Sequence, residues 1–432
     1  MKESFQSLKE RVIDRGLCTS CGACKGICPR NVIDFVERES VCSPVLIGEC
    51  IQCGMCSSTC VAAGMDFNPL LSKQAEYYGK KQNDVDHSYY LCHATDRLIW
   101  QQGASGGFVT AALIYALDKK IIKYAAVITN DPDKPWLPKV VLAQSYKEVV
   151  EAAQSKYCVI PTLEILQEIK TITEPIAMVM LPCQAQAFMN IRMLYPKMFQ
   201  NVVFTVGLMC GNSLPFEATR DVLNHIGIKD ITQITDLKYR DGFWHGELHV
   251  RLKDETEKGI PVGKYMRYMA DFYRKDRCKV CVDGDAIFTD ISSGDGWIPN
   301  NKLDNVYGWS IIHTHTKIGE QIVQGMLDSG VLYAHLLTEK EAFKQKHLYH
   351  RHYSSLPRIE NRRRKGIPVP SYTGLHTPPL IMSNRGLFKK RVIDFCQNLI
   401  FSQFTRKMIS PLSIEFKTGF LEFVMKLWFR EK

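Results

Sequence analysis

Residues Cys18-Thr-Ser-Cys21-Gly-Ala-Cys24-Lys-Gly-Ile-Cys28-Pro29 form a C-x-x-C-x-x-C-x-x-x-C-P run, and Cys50-Ile-Gln-Cys53-Gly-Met-Cys56-Ser-Ser-Thr-Cys60 repeats it with Val61 where the proline would stand. Three thiolates at this spacing wrap one face of an iron–sulfur cube. The fourth turns away to the other cube, as in two-cluster bacterial ferredoxins. One [4Fe–4S] cluster is thus expected on Cys18, Cys21, Cys24 and Cys60, the other on Cys50, Cys53, Cys56 and Cys28. A pair of zinc sites is the alternative, but zinc takes its cysteines as two pairs rather than four in a row. Gly22 and Gly54 occupy matching places, where the backbone is expected to pass close to a cube that a side chain would obstruct. Cys42 lies outside both runs and reads as an ordinary thiol.

Around this block the chain runs to 432 residues with 16 cysteines, 45% apolar and 23% charged residues. That balance supports a buried core and excludes wholesale disorder. No apolar run approaches the length of a membrane-spanning helix. The polar start Met1–Ser7 has no signal-peptide core, so a cytoplasmic location is expected. In a reducing cytosol the cysteines are metal ligands, catalytic thiols or core residues rather than disulfides. Residues 1–16 read as a short polar helix, and residues 1–66 as a ferredoxin-like α+β domain. Residues 67–88 read as a linker, and residues 89–335 as an α/β body, because short apolar runs alternate with helical stretches. Strands are expected at Ala125–Thr129, Lys139–Ala143, Ile176–Leu181, Val202–Leu208, Leu248–Leu252, Ala286–Ile291 and Ser310–His313. Helices are expected at Phe108–Leu117, Leu163–Ile169, Gln184–Leu194, Phe216–His225 and Ile318–Asp328.

Four further cysteines stand at suggestive places in the body. Cys183 follows the apolar run Ile176–Leu181, and Cys210 follows Val202–Leu208. Both are strand C-termini, where open α/β sheets bind ligands. Cys278 and Cys281 form a C-x-x-C pair before Asp283. The four can converge on a third cluster; Cys183 or Cys210 taken singly is equally well a buried thiol, and the C-x-x-C pair shifts the balance because such a pair in a cytosolic protein needs partners or redox chemistry. Gly103-Ala104-Ser105-Gly106-Gly107 precedes a helix and suits either an anion, held by free N–H groups, or a tight packed turn.

The ordered set Gly103–Gly107, Ser155-Lys156-Tyr157, Pro182-Cys183-Gln184, Cys278-x-x-Cys281-x-Asp283 and Asp290-Ile-Ser-Ser-Gly-Asp295-Gly-Trp297 resembles the family of β subunits of coenzyme F420 hydrogenase and dehydrogenase. Gly308-Trp309-Ser310 and Thr316–Glu320 extend the resemblance, which covers about residues 1–335. It implies a flavoprotein oxidoreductase that holds FAD and an iron–sulfur cluster in the body. On this resemblance, FAD contacts are expected at Ala104, Ser105, Gly106, Gly107, Ser155, Lys156, Tyr157, Asp290 and Asp295, with Lys156 a cation beside flavin or phosphate. Its plainer alternative is a solvated lysine at a helix end. A flavin takes electrons singly and delivers them paired, so its place is between clusters and substrate.

Three functions are open: an enzyme acting on a small-molecule substrate, an adaptor feeding a partner enzyme, or a scaffold stabilised by its clusters. The large body favours the enzyme, with a ferredoxin-like donor or partner enzyme as its redox partner. Residues 336–432 carry 19 Lys and Arg against 7 Asp and Glu, a net +12, whereas the rest of the chain is near neutral. This basic tail reads as a Pro-rich linker, 354–380, then amphipathic helices near 386–404 and 413–430. Those helices suit packing on the body, an acidic protein partner, or peripheral contact with the cytoplasmic membrane face. Nucleic acid is not expected, because the basic run Arg362–Lys365 is short and no recognition motif accompanies it.

Overall fold

The computed structural model of the chain describes residues 4–38, 41–70, 72, 88–297, 306–344, 350–374 and 414. At the start, Ser4 and Ser7 cap the helix Phe5–Leu8 reciprocally, and the coil loosens into a π-turn over Lys9–Ile13. Phe5, Leu8, Val12 and Leu17 meet Ile33 and Ala62 in a small core of their own, against which Cys18, Cys24, Cys28, Cys50, Cys56 and Cys60 pack. Between the two runs, β1 (Ile33–Arg38) and β2 (Val41–Leu46) form an antiparallel hairpin. After them comes the short β3 (Gly64–Asp66).

The body is built on β4 (Tyr89–Ala94), β5 (Tyr124–Asn130), β6 (Pro138–Ala143), β7 (Ile176–Met180), β8 (Val202–Leu208), β12 (Ile291–Gly296), β13 (Trp309–Thr314) and β14 (Leu332–Leu337), in the order β14-β4-β13-β12-β8-β7-β5-β6. The contiguous four β12, β8, β7 and β5 are parallel; the outer pairs are antiparallel. The apolar run of β7 has a direct cause. Successive side chains point to opposite faces, and Ile176, Met178 and Met180 enter one core while Ala177 and Val179 enter the other. Helices therefore cover both faces. Between β8 and β12 the chain makes a second sheet, β11-β10-β9, from β9 (Ile234–Asp241), β10 (Glu247–Leu252) and β11 (Glu257–Pro261). Helices Phe216–His225 and Val262–Tyr273 close its own core around Tyr239 and Tyr265.

Several expectations need correction. Ala286–Ile291 is not a strand: Asp283 Oδ1 accepts the N–H groups of Asp285 and Ala286 at 2.9 and 3.0 Å, which turns the chain, and Ala286 has a φ of 54°. Leu248–Leu252 belongs to the second sheet. The linker expected at 67–88 begins too early, since Phe67 and Leu70 are core residues. The boundary at 335 falls inside β14. Most of the first half of the expected Pro-rich linker is structured. Helix His350–Arg364 carries Pro357 within it, and β15 (Ser371–Thr373) pairs in parallel with β3. The basic run is engaged: Arg363 and Arg364 pair with Glu360, and Arg362 with Asp276. The amphipathic stretches near 386–404 and 413–430 lie outside the described residues, apart from Ile414. Among the described residues no helix is long and apolar enough to cross a membrane.

Candidate functional site

The two cysteine runs fold alike. Gly22, with φ 92°, starts the helix Ala23–Gly26, and Gly54, with φ 77°, starts Met55–Ser58. Their fourth cysteines cross over. Cys28 lines one pocket with Cys50, Cys53 and Cys56. Burial and then the nearby Cys50, Cys53 and Cys28 push the Cys56 thiol up to about 12. Cys60 lies instead beside Cys21 and Cys18, and burial followed by Cys21 pushes it to about 12 as well. Thiols gathered in this way resist ionisation unless a cation joins them, which is the chemistry of a metal-cluster donor set. Among the described residues no group of three His, Cys, Asp or Glu is placed to hold a metal ion. A tetrahedral zinc with bonds near 2.3 Å would draw its sulfurs to about 3.8 Å apart. A four-iron cube holds its ligands at separate corners, farther apart.

Gly22 is also held to glycine by the body. A Cβ there would lie 2.2 Å from the carbonyl oxygen of Pro161 and 2.7 Å from the Glu164 nitrogen. The glycine is needed because the cysteine block docks on the body. Leu163 N–H donates to the Cys21 carbonyl at 2.9 Å, and Gln167 Nε2 to the carbonyls of Lys25 and Cys28 at 2.6 and 2.7 Å. Lys25 pairs with Glu164 at 2.8 Å, and Asn190 Nδ2 donates to the carbonyls of Ser58 and Thr59. Cys21 itself packs on the body's core.

The docked face leads to the other four cysteines. Cys183 is the second residue of helix Pro182–Leu194, just past β7; Cys210 lies just past the neighbouring parallel strand β8; Cys278 sits in the short helix Asp276–Lys279, followed by Cys281. Burial pushes the Cys183 thiol well up, with Cys21, Cys210, Cys281 and Cys278 adding to it, so the four thiols lie within electrostatic reach of one another and Cys21 of the first set lies near Cys183. Burial takes Cys210 to about 12, opposed by the guanidinium of Arg351. Cations crowd this place. Arg351 Nη1 donates to the Cys278 carbonyl at 3.2 Å, Arg277 Nε donates to the Ala62 carbonyl at 2.9 Å, and the buried Nε of Arg274 has no hydrogen-bond acceptor. A guanidinium N–H near Cys278, without an acceptor among the described residues, fits an anionic group at this site. Asp283 holds the loop after Cys281, accepting from Gln186 Nε2 at 3.0 Å. The arginines carried no sequence motif and were not anticipated.

Four of the nine candidate flavin residues, Ser105, Ser155, Tyr157 and Asp295, gather in a polar wall beside β12 and β13. Ser105 Oγ lies 3.0 Å from Ser310 Oγ, and Ser310 stands directly opposite Asp295 across the two strands, so their side chains share a face. Asp295 Oδ2 accepts from Arg240 Nη1 at 2.8 Å, and the Tyr157 hydroxyl lies near Arg240, Asp295 and Ser155. The Arg240 guanidinium lies 4.8 Å from the Trp244 ring centre, and His245 stacks on Trp297 at 5.0 Å, giving the wall an aromatic rim. Arg240 and Ser310 join residues far apart in the chain, and the sequence did not single out the arginine. The wall adjoins the third cysteine set: Cys210 follows Met209, whose N–H donates to Ser293 at 2.8 Å and whose sulfur covers Gly294, the residue before Asp295.

Two residues stand differently. Asp290 is buried with both oxygens engaged, Oδ2 by Thr205 N and Oγ1 and Oδ1 by Thr316 Oγ1, so it clasps β8 to helix Lys317–Asp328 and has no oxygen directed to a cofactor. Lys156 does cap a helix end, donating to the carbonyls of Ala152, Ala153 and Gln154, and it is half-buried rather than solvated. Burial lowers its ammonium to about 7, which disfavours the charged form unless an anion joins it. In the glycine turn, Ala104 is half-buried and Gly106 and Gly107 are packed: Cβ atoms there would meet the carbonyls of Cys92 at 2.3 Å and Ile99 at 2.7 Å. The packed-turn alternative thus accounts for both glycines.

Comparison with known proteins agrees with this layout. The model for the N-terminal part of the coenzyme F420 hydrogenase/dehydrogenase beta subunit matches residues 89–167, the model for its C terminus matches 173–340, and a 4Fe-4S binding domain matches 11–34. The chain is 27% identical over 325 residues to a subunit of the F(420)H(2) dehydrogenase of Methanosarcina mazei, covering 72% of this chain and 82% of that protein. It is 28% identical over 292 residues to the coenzyme F420 hydrogenase subunit beta of Methanococcus voltae, covering 64% and 95%. A chain of the F420-reducing [NiFe] hydrogenase complex from Methanosarcina barkeri shares the fold, with a TM-score of 0.50 at 23% identity over 68% of this chain and 96% of that one. Cysteine runs, docked body and family models agree: this chain is an iron–sulfur electron-transfer protein and belongs to the family of coenzyme F420 hydrogenase/dehydrogenase beta subunits.

Proposed function

We propose that the chain is an iron–sulfur flavoprotein oxidoreductase that passes electrons between [4Fe–4S] clusters and a two-electron substrate through FAD. Two clusters are assigned to the crossed sets Cys18, Cys21, Cys24, Cys60 and Cys50, Cys53, Cys56, Cys28. A third is assigned to Cys183, Cys210, Cys278 and Cys281. The observation that supports this reading is proximity: Cys21 lies within electrostatic reach of Cys183, and Cys210 follows Met209, which packs on Gly294 beside Asp295. Bound there, FAD would exchange single electrons with the clusters and paired electrons with the substrate.

The chain's own residues do the rest. Gln167, Asn190 and Arg277 fix the cysteine block against the body and so hold the first set beside the third. Arg240 orients Asp295 and Tyr157, and Ser310 orients Ser105, along the wall offered to FAD. Lys156 is a lysine whose charged form a bound anionic group would stabilise. Relatives named for coenzyme F420 make a deazaflavin of that class a natural two-electron substrate, alongside other small acceptors.

An adaptor role without its own substrate is the second reading, favoured by relatives that are named as subunits. Cys53 is exposed, with Ile47 and Ile51 at 64% and 54% exposure nearby, which suits contact with a redox partner protein. The net +12 of residues 336–432 supports reversible contact with anionic membrane surface, which salt-sensitive co-sedimentation with vesicles would read.

Replacing Cys281 by serine tests the central assignment. The third cluster's paramagnetic signal should vanish while two ferredoxin-type signals remain. Three unchanged signals, or none beyond the ferredoxin pair in the parent protein, would leave the body's cysteines as thiols.

A further inference from the structure

The family models end at residue 340, yet the chain beyond them returns to the third cysteine set. Helix His350–Arg364 lays the stem of Arg351 over Gly284, where a Cβ would meet its Cδ at 3.2 Å. The Gly284 carbonyl accepts the N–H of Cys210 at 2.8 Å. From the same helix, Arg351 Nη1 reaches the Cys278 carbonyl at 3.2 Å and Ser355 Oγ the Cys281 carbonyl at 2.5 Å. Ile359 is buried in the body's core, Arg362 pairs with Asp276, and Ser371 N–H donates to the Ala63 carbonyl at 2.9 Å as β15 joins β3. This segment therefore spans three of the four cysteine positions and ties down the cysteine block as well.

We propose that helix His350–Arg364 is a lid on the third cluster site and that Arg351 is a positioning residue that sets the cluster's reduction potential. The inference rests on the third-cluster reading above. Each electron added to a thiolate-bound cluster adds a negative charge, and net charge and hydrogen bonds near the sulfurs set its potential. A fixed guanidinium stabilises the reduced form more than the oxidised one. Removing it lowers the potential, so the site takes an electron less readily. The other two clusters lie outside Arg351's contacts and serve as internal references. Consistent with this placement, the Arg351 charge is favoured by Cys281, Cys210 and Cys278.

The test is a potentiometric titration of the full-length, anaerobically purified protein, followed by electron paramagnetic resonance. In Arg351→Gln, the midpoint of the signal that Cys281→Ser abolishes should fall, with the two ferredoxin-type midpoints unmoved. Arg351→Lys, which keeps the charge, should recover most of the shift. Gly284→Ala pushes the Arg351 stem aside without removing charge and should give a smaller shift of the same sign. An unchanged midpoint in Arg351→Gln, or an equal shift in Arg351→Lys, would overturn the proposal. If Cys281→Ser abolishes no signal in the parent protein, the third-cluster reading has failed instead.

Discussion

Alanine at Gly22 probes whether the cysteine block is locked to the body where the first and third sets meet. Gly22 has φ 92°, and an added Cβ would lie 2.2 Å from the Pro161 oxygen and 2.7 Å from the Glu164 nitrogen. Both atoms are backbone of the turn Thr162–Ile165 and its capping residue Pro161, and Leu163 N–H holds the Cys21 carbonyl. No side-chain rotation relieves that clash, so the block must lift away. Gly16 is the matched control: its φ is 66°, and nothing lies within 4 Å of its added Cβ. The left-handed backbone costs a non-glycine residue roughly 1–2 kcal/mol at either site. Overpacking adds roughly 1–3 kcal/mol at Gly22 alone. Gly16→Ala should therefore lose about 1–2 kcal/mol and Gly22→Ala about 2–5 kcal/mol. Anaerobic thermal unfolding, followed by bleaching of the visible cluster absorbance, separates the two. Rapid-mixing reduction should also show electrons reaching the third cluster more slowly in Gly22→Ala. A Gly22→Ala protein that melts with Gly16→Ala and transfers electrons at the parent rate would refute the docked arrangement.

Arg240→Leu should strip Asp295 and Tyr157 of their common partner. Because Asp295 is 29% exposed, the stability loss is moderated by solvent to roughly 1–3 kcal/mol, but flavin content per chain should drop sharply. Asp290→Asn should cost stability by about 1–3 kcal/mol, because the amide NH2 sets a donor against the donors of Thr205 or Thr316, while flavin and iron per folded chain stay unchanged; flavin loss at full stability would restore Asp290 as a cofactor contact. Lys156 carries a pH signature. Its folded value of about 7 lies below its ordinary 10.5, so the unfolded chain binds the extra proton between those limits. Stability of the flavin-free protein should then rise with pH across that window relative to Lys156→Met, the penalty being full below pH 7. Flavin-loaded protein should lose this slope if a phosphate pairs with Lys156.

Ligand chemistry made the cysteines legible, because covalent reach to a cube constrains spacing along the chain. The apolar strands before Cys183 and Cys210 were legible for a related reason: β7 is buried on both faces and alternation disappears. Contacts that depend on distant chain segments left no such trace. Arg240 meets Asp295 across 55 residues, and Arg351 meets Cys278 across 73. The prolines and arginines of 354–380 suggested a linker because composition does not report a partner; Pro357 nevertheless sits in a helix, and Tyr372 packs beside Phe67 at 6.0 Å. Ala286–Ile291 had strand composition, but the Asp283 side chain captured the N–H groups a strand would use. At Gly22 the residue type reads as a close approach, and the Pro161–Glu164 backbone is a second surface that the sequence does not reveal.

The central claim is a chain that carries three clusters and one flavin in sequence. Anaerobically purified full-length protein, assayed together for iron, zinc, acid-labile sulfide and extracted flavin, tests it most directly. Three four-iron clusters and FAD require about twelve irons and one FAD per chain. About eight irons without flavin would leave a ferredoxin fused to a structural body, and zinc in place of iron would contradict the cluster assignment altogether.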